Sequence, residues 1–140
     1  MNRYTWLDGY LLSKPQAEKD FKAEWGWFRY MICGKMFAAV CTPDPNHPLH
    51  AGRTMVILKC EPQLAELFRT QYADVVPGFY CNKQHWNSIY LDGAVPDDTL
   101  KGMCDMAYGL VLQKLPKKTQ QEIAQSTRLQ DTDVQVGTNA

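Results

Sequence analysis

The sequence predicts an α+β domain in which an antiparallel sheet carries its helices on one face. Two observations lead there. Segments with a two-residue apolar alternation lie next to one another in the first half of the chain. Stripes with helical spacing flank and follow them, rather than alternating with them one for one. The expected order is a helix, three strands, a helix, one or two strands, and a helix.

Trp6, Leu7, Tyr10 and Leu11 recur at the spacing that lines up side chains on one helix face, with Thr5 and Asp8 placed to cap its start and Pro15 to end it. Between Trp27 and Cys41, Phe28, Tyr30 and Ile32 alternate with other residues up to Gly34 and Lys35, and Met36 to Cys41 is nearly all apolar. That pattern predicts two strands joined by a tight turn. Residues 42–52 (TPDPNHPLHAG) hold three of the eight prolines and predict an irregular connection to a third strand, MVILK. Pro62 suits the first turn of a helix, where its missing N–H removes no bond, and Leu64, Leu67 and Phe68 with Ala65 are expected to face the core.

A strand is expected from His85 to Leu91, with Asn87, Ile89 and Leu91 on the core face and Trp86, Ser88 and Tyr90 on the other. After the turn LDG, Asp97 is a good N-cap for a helix whose apolar positions are Leu100, Met103, Ala107, Leu110 and Val111. Pro116 breaks that helix, and KKTQQEIAQ offers a short further one. Residues 1–126 are therefore expected to form one domain, with 127–140 a polar tail expected to be disordered.

Fifteen basic and fifteen acidic residues cancel, and 45% of the chain is hydrophobic, so the sequence supplies a core but no strongly basic surface for gripping nucleic acid by charge alone. Five widely spaced cysteines without a CxxC, and an N-terminus without the apolar core of a signal peptide, predict a reduced, cytoplasmic protein. No apolar run reaches the roughly 20 residues of a membrane span, so no membrane partner is expected.

Catalysis and metal binding find little support. Cys81 and His85 lie four residues apart, but an activated thiol needs a base in hydrogen-bond reach, and such a cysteine is more often a small hydrophobe. His47 and His50 in HPLH lack the second ligand pair of a structural zinc site, so loop solvation is the expected state. GxGxxG and GxxxxGK[ST] are absent. No cofactor is expected. Lys117 and Lys118 read as charges at a helix C-terminal end that could also touch a phosphate.

The remaining feature is NKQHWN (82–87), where hydrogen-bond donors and flat rings share one short segment able to stack on bases or pack on a partner. The plainer reading is that Asn82 caps a turn and Trp86 covers the sheet under a loop.

GKMFA (34–38), LKCEPQLAELFRTQY (58–72), VPGFYCNKQHWNSIYLDG (76–93), VPDDTL (95–100) and the Tyr108 to Lys118 segment containing VLQKLPKK resemble the MmcQ/YjbR family, in order and at compatible spacing. The resemblance implies an α+β fold related to CyaY-like or secretion-chaperone-like arrangements, and DNA binding through a double wing. It marks Lys35, Lys59, Asn82, Lys83, His85, Trp86 and Asn87 as candidate DNA-binding positions. Glu61 stands where the family often has Asp, and Ala107 where Ser is common.

The expected function is thus a non-catalytic DNA-binding domain. Lys35, Lys59 and Lys83 would meet phosphates, aided by clustering with Arg53. Asn82 and His85 would supply hydrogen bonds, and Trp86 would stack or wedge. The alternative is a protein-interaction or chaperone-like adaptor using the sheet face around Trp86 and Tyr90.

Overall fold

The computed structural model describes residues 2–126. Its elements run α1 (Leu7–Leu12), β1 (Glu18–Lys22), β2 (Trp27–Ile32), β3 (Lys35–Cys41), β4 (Met55–Lys59), α2 (Pro62–Gln71), β5 (Val75–Pro77), β6 (Trp86–Tyr90) and α3 (Asp97–Lys114). A further helical stretch, 117–126, follows Pro116. The six strands form one sheet in the order β1-β2-β3-β4-β6-β5, every neighbouring pair antiparallel. The expected α+β architecture is present, and the expected 127–140 tail lies outside the described residues.

The helices lie on one face of the sheet. Ile32, Ala38, Val56, Leu58 and Ile89 project from the strands into a core shared with Leu7 and Leu11 of α1 and with Leu100, Cys104 and Ala107 of α3. Tyr residues tie the layers together: the Tyr4 hydroxyl donates to the Val95 carbonyl at 2.7 Å and the Tyr108 hydroxyl to the Pro15 carbonyl at 2.6 Å. In a closed core each such bond satisfies a group that would be costly to bury alone.

The opposite face has a core of its own. Trp27, Ala39, Cys41, Met55, Ile57 and Tyr90 are buried there with Phe79. Loops rather than helices cover it, which explains how a domain with helices on one side can bury both faces of its central strands. MVILK reads as a continuous apolar run for the same reason.

Several local expectations are corrected. β1 was not anticipated: EKDFK is an edge strand paired only to β2 and mostly exposed, so no buried face imprints an apolar alternation on it. Thr5 and Asp8 do not cap α1; the N-cap position is Trp6, without a side-chain bond, and Asp8 accepts from Lys19 Nζ and the Tyr30 hydroxyl, both at 2.6 Å. Leu67 is 55% exposed rather than core, because α2 rests on the edge strand β5 and its neighbour β6 through Ala65 and Phe68. α3 begins one residue earlier than a cap at Asp97 would have it, with Pro96 at the N-cap, and Leu110 is half-buried while Cys104 and Tyr108 join the core. Lys117 and Lys118 open the 117–126 helix instead of closing α3.

Candidate functional site

β6 has the predicted alternation, but the two faces are put to different uses. Asn87 and Ile89 face the helices and Trp86, Ser88 and Tyr90 the loops, as expected. Asn87 is 2% exposed: its Oδ1 accepts from Arg69 Nε at 2.6 Å and its Nδ2 donates to the Ala65 carbonyl at 3.3 Å. With both ends of the amide engaged by α2, this side chain pins a helix to the sheet and offers nothing outward, contrary to a contact role.

The NKQHW loop is a built turn. Asn82 Oδ1 accepts the Gln84 N–H at 2.8 Å and the Asn82 carbonyl accepts the His85 N–H at 3.2 Å, an Asx turn of the kind Asn favours. The His85 carbonyl accepts the Cys60 N–H at 2.8 Å, and the Trp86 carbonyl accepts Gly78 N–H at 2.9 Å and Arg69 Nη2 at 3.2 Å. Arg69 also donates to the Lys83 carbonyl. Gly78 is required at this crossing, since a Cβ there would stand 2.6 Å from Trp86 Cβ and 2.9 Å from its carbonyl oxygen.

The candidate cations do not all converge. Arg53 is neutralised: its guanidinium donates to Asp92, at best 2.6 Å, lies 3.5 Å from Asp74, and covers the Tyr90 ring at 3.6 Å. Lys83 reaches toward the Gly78 carbonyl at 3.5 Å and stands near His50, whose protonation it disfavours. Lys59, by contrast, sits opposite Trp86 in the β4–β6 ladder, its ammonium 5.9 Å from that ring, and is near enough to Lys114 and Lys35 for both to disfavour its protonation. Burial first, then Lys114, then Lys35 hold the Lys59 ammonium below its ordinary value of 10.5, with no carboxylate among the influences. Sequence reading marked Lys35 and Lys59 but missed Lys114, which α3 carries across the core in its last turn. Nothing in local sequence links residue 114 to residue 59.

Tyr90 is not an open sheet surface. It is 6% exposed, its hydroxyl 2.8 Å from His50 Nδ1, and His50 is itself buried against Phe79 with its ring stacked 5.0 Å from His47. The expected loop solvation of the histidines therefore fails at His50, because the 42–54 connection folds down onto the sheet. Among the described residues no group of three His, Cys, Asp or Glu could hold a metal. Burial pushes the Cys81 thiol up to about 11, Lys83 only partly offsetting it, and the hydrogen bonds of the described residues do not join it to His85. A protonated thiol without a base is a poor nucleophile.

His50 carries a pH prediction. Burial, then His47, Lys83 and Arg53, hold its pKa below the ordinary 6.5, so the unfolded chain takes up the proton more readily than the native one. Its contribution is complete above 6.5 and is lost as pH falls from there toward the lower folded value. Urea midpoints should fall as pH drops below 6.5, and His50→Gln should flatten that slope. An equally steep slope in the variant would assign the effect elsewhere.

The sequence model of the YjbR family matches residues 12–110, which include Lys35, Lys59 and the NKQHWN segment but not Lys114. The chain belongs to the YjbR family. It is 33% identical to the YjbR protein of Escherichia coli (strain K12) over 116 residues, 83% of this chain and 92% of that protein. A shorter match, 29% over 72 residues, links it to the YbdF protein of Escherichia coli O157:H7, with 51% of this chain and 59% of that protein covered. Among solved structures, Deinococcus radiodurans protein DR2400, described with domain DUF419, superposes with a TM-score of 0.69 at 23% identity, over 84% of this chain and 85% of that one. A Pseudomonas syringae crystal structure superposes with a TM-score of 0.61 at 21% identity, over 79% and 98% of the two chains. The fold read from the sequence is thus that of the YjbR and DUF419 proteins. No helix among the described residues is long and apolar enough to cross a membrane.

Proposed function

We propose that this YjbR-family chain is a non-catalytic, cytoplasmic DNA-binding domain whose phosphate contacts centre on Lys35, Lys59 and Lys114. The observation that carries this reading is that Lys35 and Lys114 both act on the Lys59 ammonium, with no ion pair to any of the three among the described residues. Five of the chain's other cations are instead paired with carboxylates: Lys14 with Asp105, Lys19 with Asp8, Lys22 with Glu24, Arg29 with Asp20, and Arg53 with Asp92. A phosphate lying beside Lys59 would relieve the repulsion that its neighbouring lysines exert on its ammonium, and releasing counterions from DNA adds to the gain. Lys117 and Lys118, exposed within four residues of Lys114, extend the positive surface.

Trp86 beside Lys59 supplies the ring for a base, whereas Asn82 and Asn87 serve the turn and the α2 contact. Five free thiols agree with a reducing compartment. The adaptor alternative is weakened by the burial of Tyr90.

Fluorescence anisotropy with labelled single- and double-stranded DNA across a salt series tests the reading. Affinity should fall linearly in log–log form, and Lys59→Ala should weaken binding and lower the slope by about 0.9 for duplex. Lys83→Ala should change it less. Absence of binding at low salt, or indifference to Lys59→Ala, would overturn the assignment.

A further inference from the structure

A second concave site lies on the loop-covered face of the sheet. It is a cleft of about 600 Å³ between the β1–β2 turn, the start of the 42–54 connection and the loop after β5. That volume falls in the range of pockets that enclose small organic ligands. Neither the lysine cluster nor the DNA reading uses it.

Its wall is a chain of rings. Trp25 and Trp27 meet edge to face at 5.3 Å, Trp27 and Phe79 lie 6.3 Å apart, and Phe79 and Tyr80 lie 4.4 Å apart. Phe79 and Trp27 are buried and anchor the wall, while Trp25 is 54% exposed and Tyr80 81% exposed. Tyr80 is held at φ 54°, a left-handed conformation that a tyrosine rarely adopts. Presenting two large rings to water, one of them through a strained backbone, is a cost that folding alone does not explain.

Glu24 and Asp44 contribute carboxylates and His47 an imidazole, and no Lys or Arg is among the residues lining the cleft. Glu24 has Lys22 at 3.5 Å, whereas the Asp44 carboxylate accepts the Asn46 N–H, at 2.7 Å, and has no ion pair among the described residues. Trp25 already draws cations of the chain itself, with Lys22 Nζ 5.5 Å and Arg29 Cζ 5.7 Å from its ring. Aromatic faces attract cations through their quadrupole, and nearby carboxylates reinforce that while repelling phosphate and carboxylate ligands.

We propose that this cleft binds a quaternary or N-methylated organic ammonium with an aromatic body, its cation held by Trp25, Tyr80 and the Asp44 carboxylate and its apolar part against Phe79 and Trp27. The site is independent of the lysine cluster, so the two readings stand or fall separately.

Isothermal titration with benzyltrimethylammonium, and with phenylacetate as an anion of similar size, tests it. The ammonium should bind saturably, with Kd near or below about 1 mM, and phenylacetate should not. Trp25→Leu and Asp44→Asn, both at exposed positions that leave the core intact, should each weaken binding about tenfold. Lys59→Glu should leave it unchanged. Equal binding of both probes, no binding of the ammonium, or binding that survives both cleft substitutions would overturn the proposal.

Discussion

Replacing Asn87 by Leu is expected to lower the free energy of unfolding by about 2–3 kcal/mol, with little change in the denaturant slope. The side chain is buried between α2 and β6, and its loss leaves Arg69 Nε and the Ala65 carbonyl without their partner. The same arginine reaches the Lys83 and Trp86 carbonyls, so the NKQHW loop should loosen as well. Arg69→Met should cost less when added to Asn87→Leu than alone, since the two remove one shared network. A loss below about 0.5 kcal/mol in a urea titration would show that the amide serves something other than this contact.

Phe37→Ala is expected to cost about 3–5 kcal/mol, the range for truncating a buried Phe. Phe37 is fully buried and meets Tyr108 of α3 edge to face at 5.4 Å. It is also the extra residue of a β-bulge: Tyr30 pairs with Ala38 and Met31 with Met36, so the ladder steps over it. The bulge lets Phe37 and Ala38, consecutive in sequence, both enter the helix-side core, and it sets the register that pairs Lys35 with Ile32. Phe37→Leu, which keeps most of the apolar volume, should recover much of the stability and tell cavity formation from loss of register. A Phe37→Ala cost under about 1 kcal/mol would mean that the site collapses around the deletion.

The fold was legible where burial leaves a periodic imprint. Ile89 is fully buried with the helices, while Trp86 and Tyr90 are on the opposite face, as alternation required, and Pro62 opens α2. β1 left no imprint because it buries neither face. Leu67 misled because a helical stripe tells which residues share a face but not how far that face is covered. The candidate site was legible only in part. Asn82 looked like a donor to a ligand because polar residues in an aromatic segment stand out, and Asn87 was marked by the family resemblance, yet whether an amide points to solvent or to a helix depends on what packs beside it.

The sequence by itself determined the α+β class, most of the elements, the alternation of β6 and the kinship with the YjbR family, because each rests on local spacing or on motifs in fixed order. Only the tertiary structure decided which charges meet. It gathers Lys114 to Lys59 and Lys35, neutralises Arg53 on Asp92, buries Tyr90 under His50, and opens a cleft between Trp25 and Tyr80, residues 55 positions apart in the chain. The physical reason is that Coulomb and stacking energies depend on distance in space, and a chain that folds strand upon strand sets those distances through pairings remote in sequence.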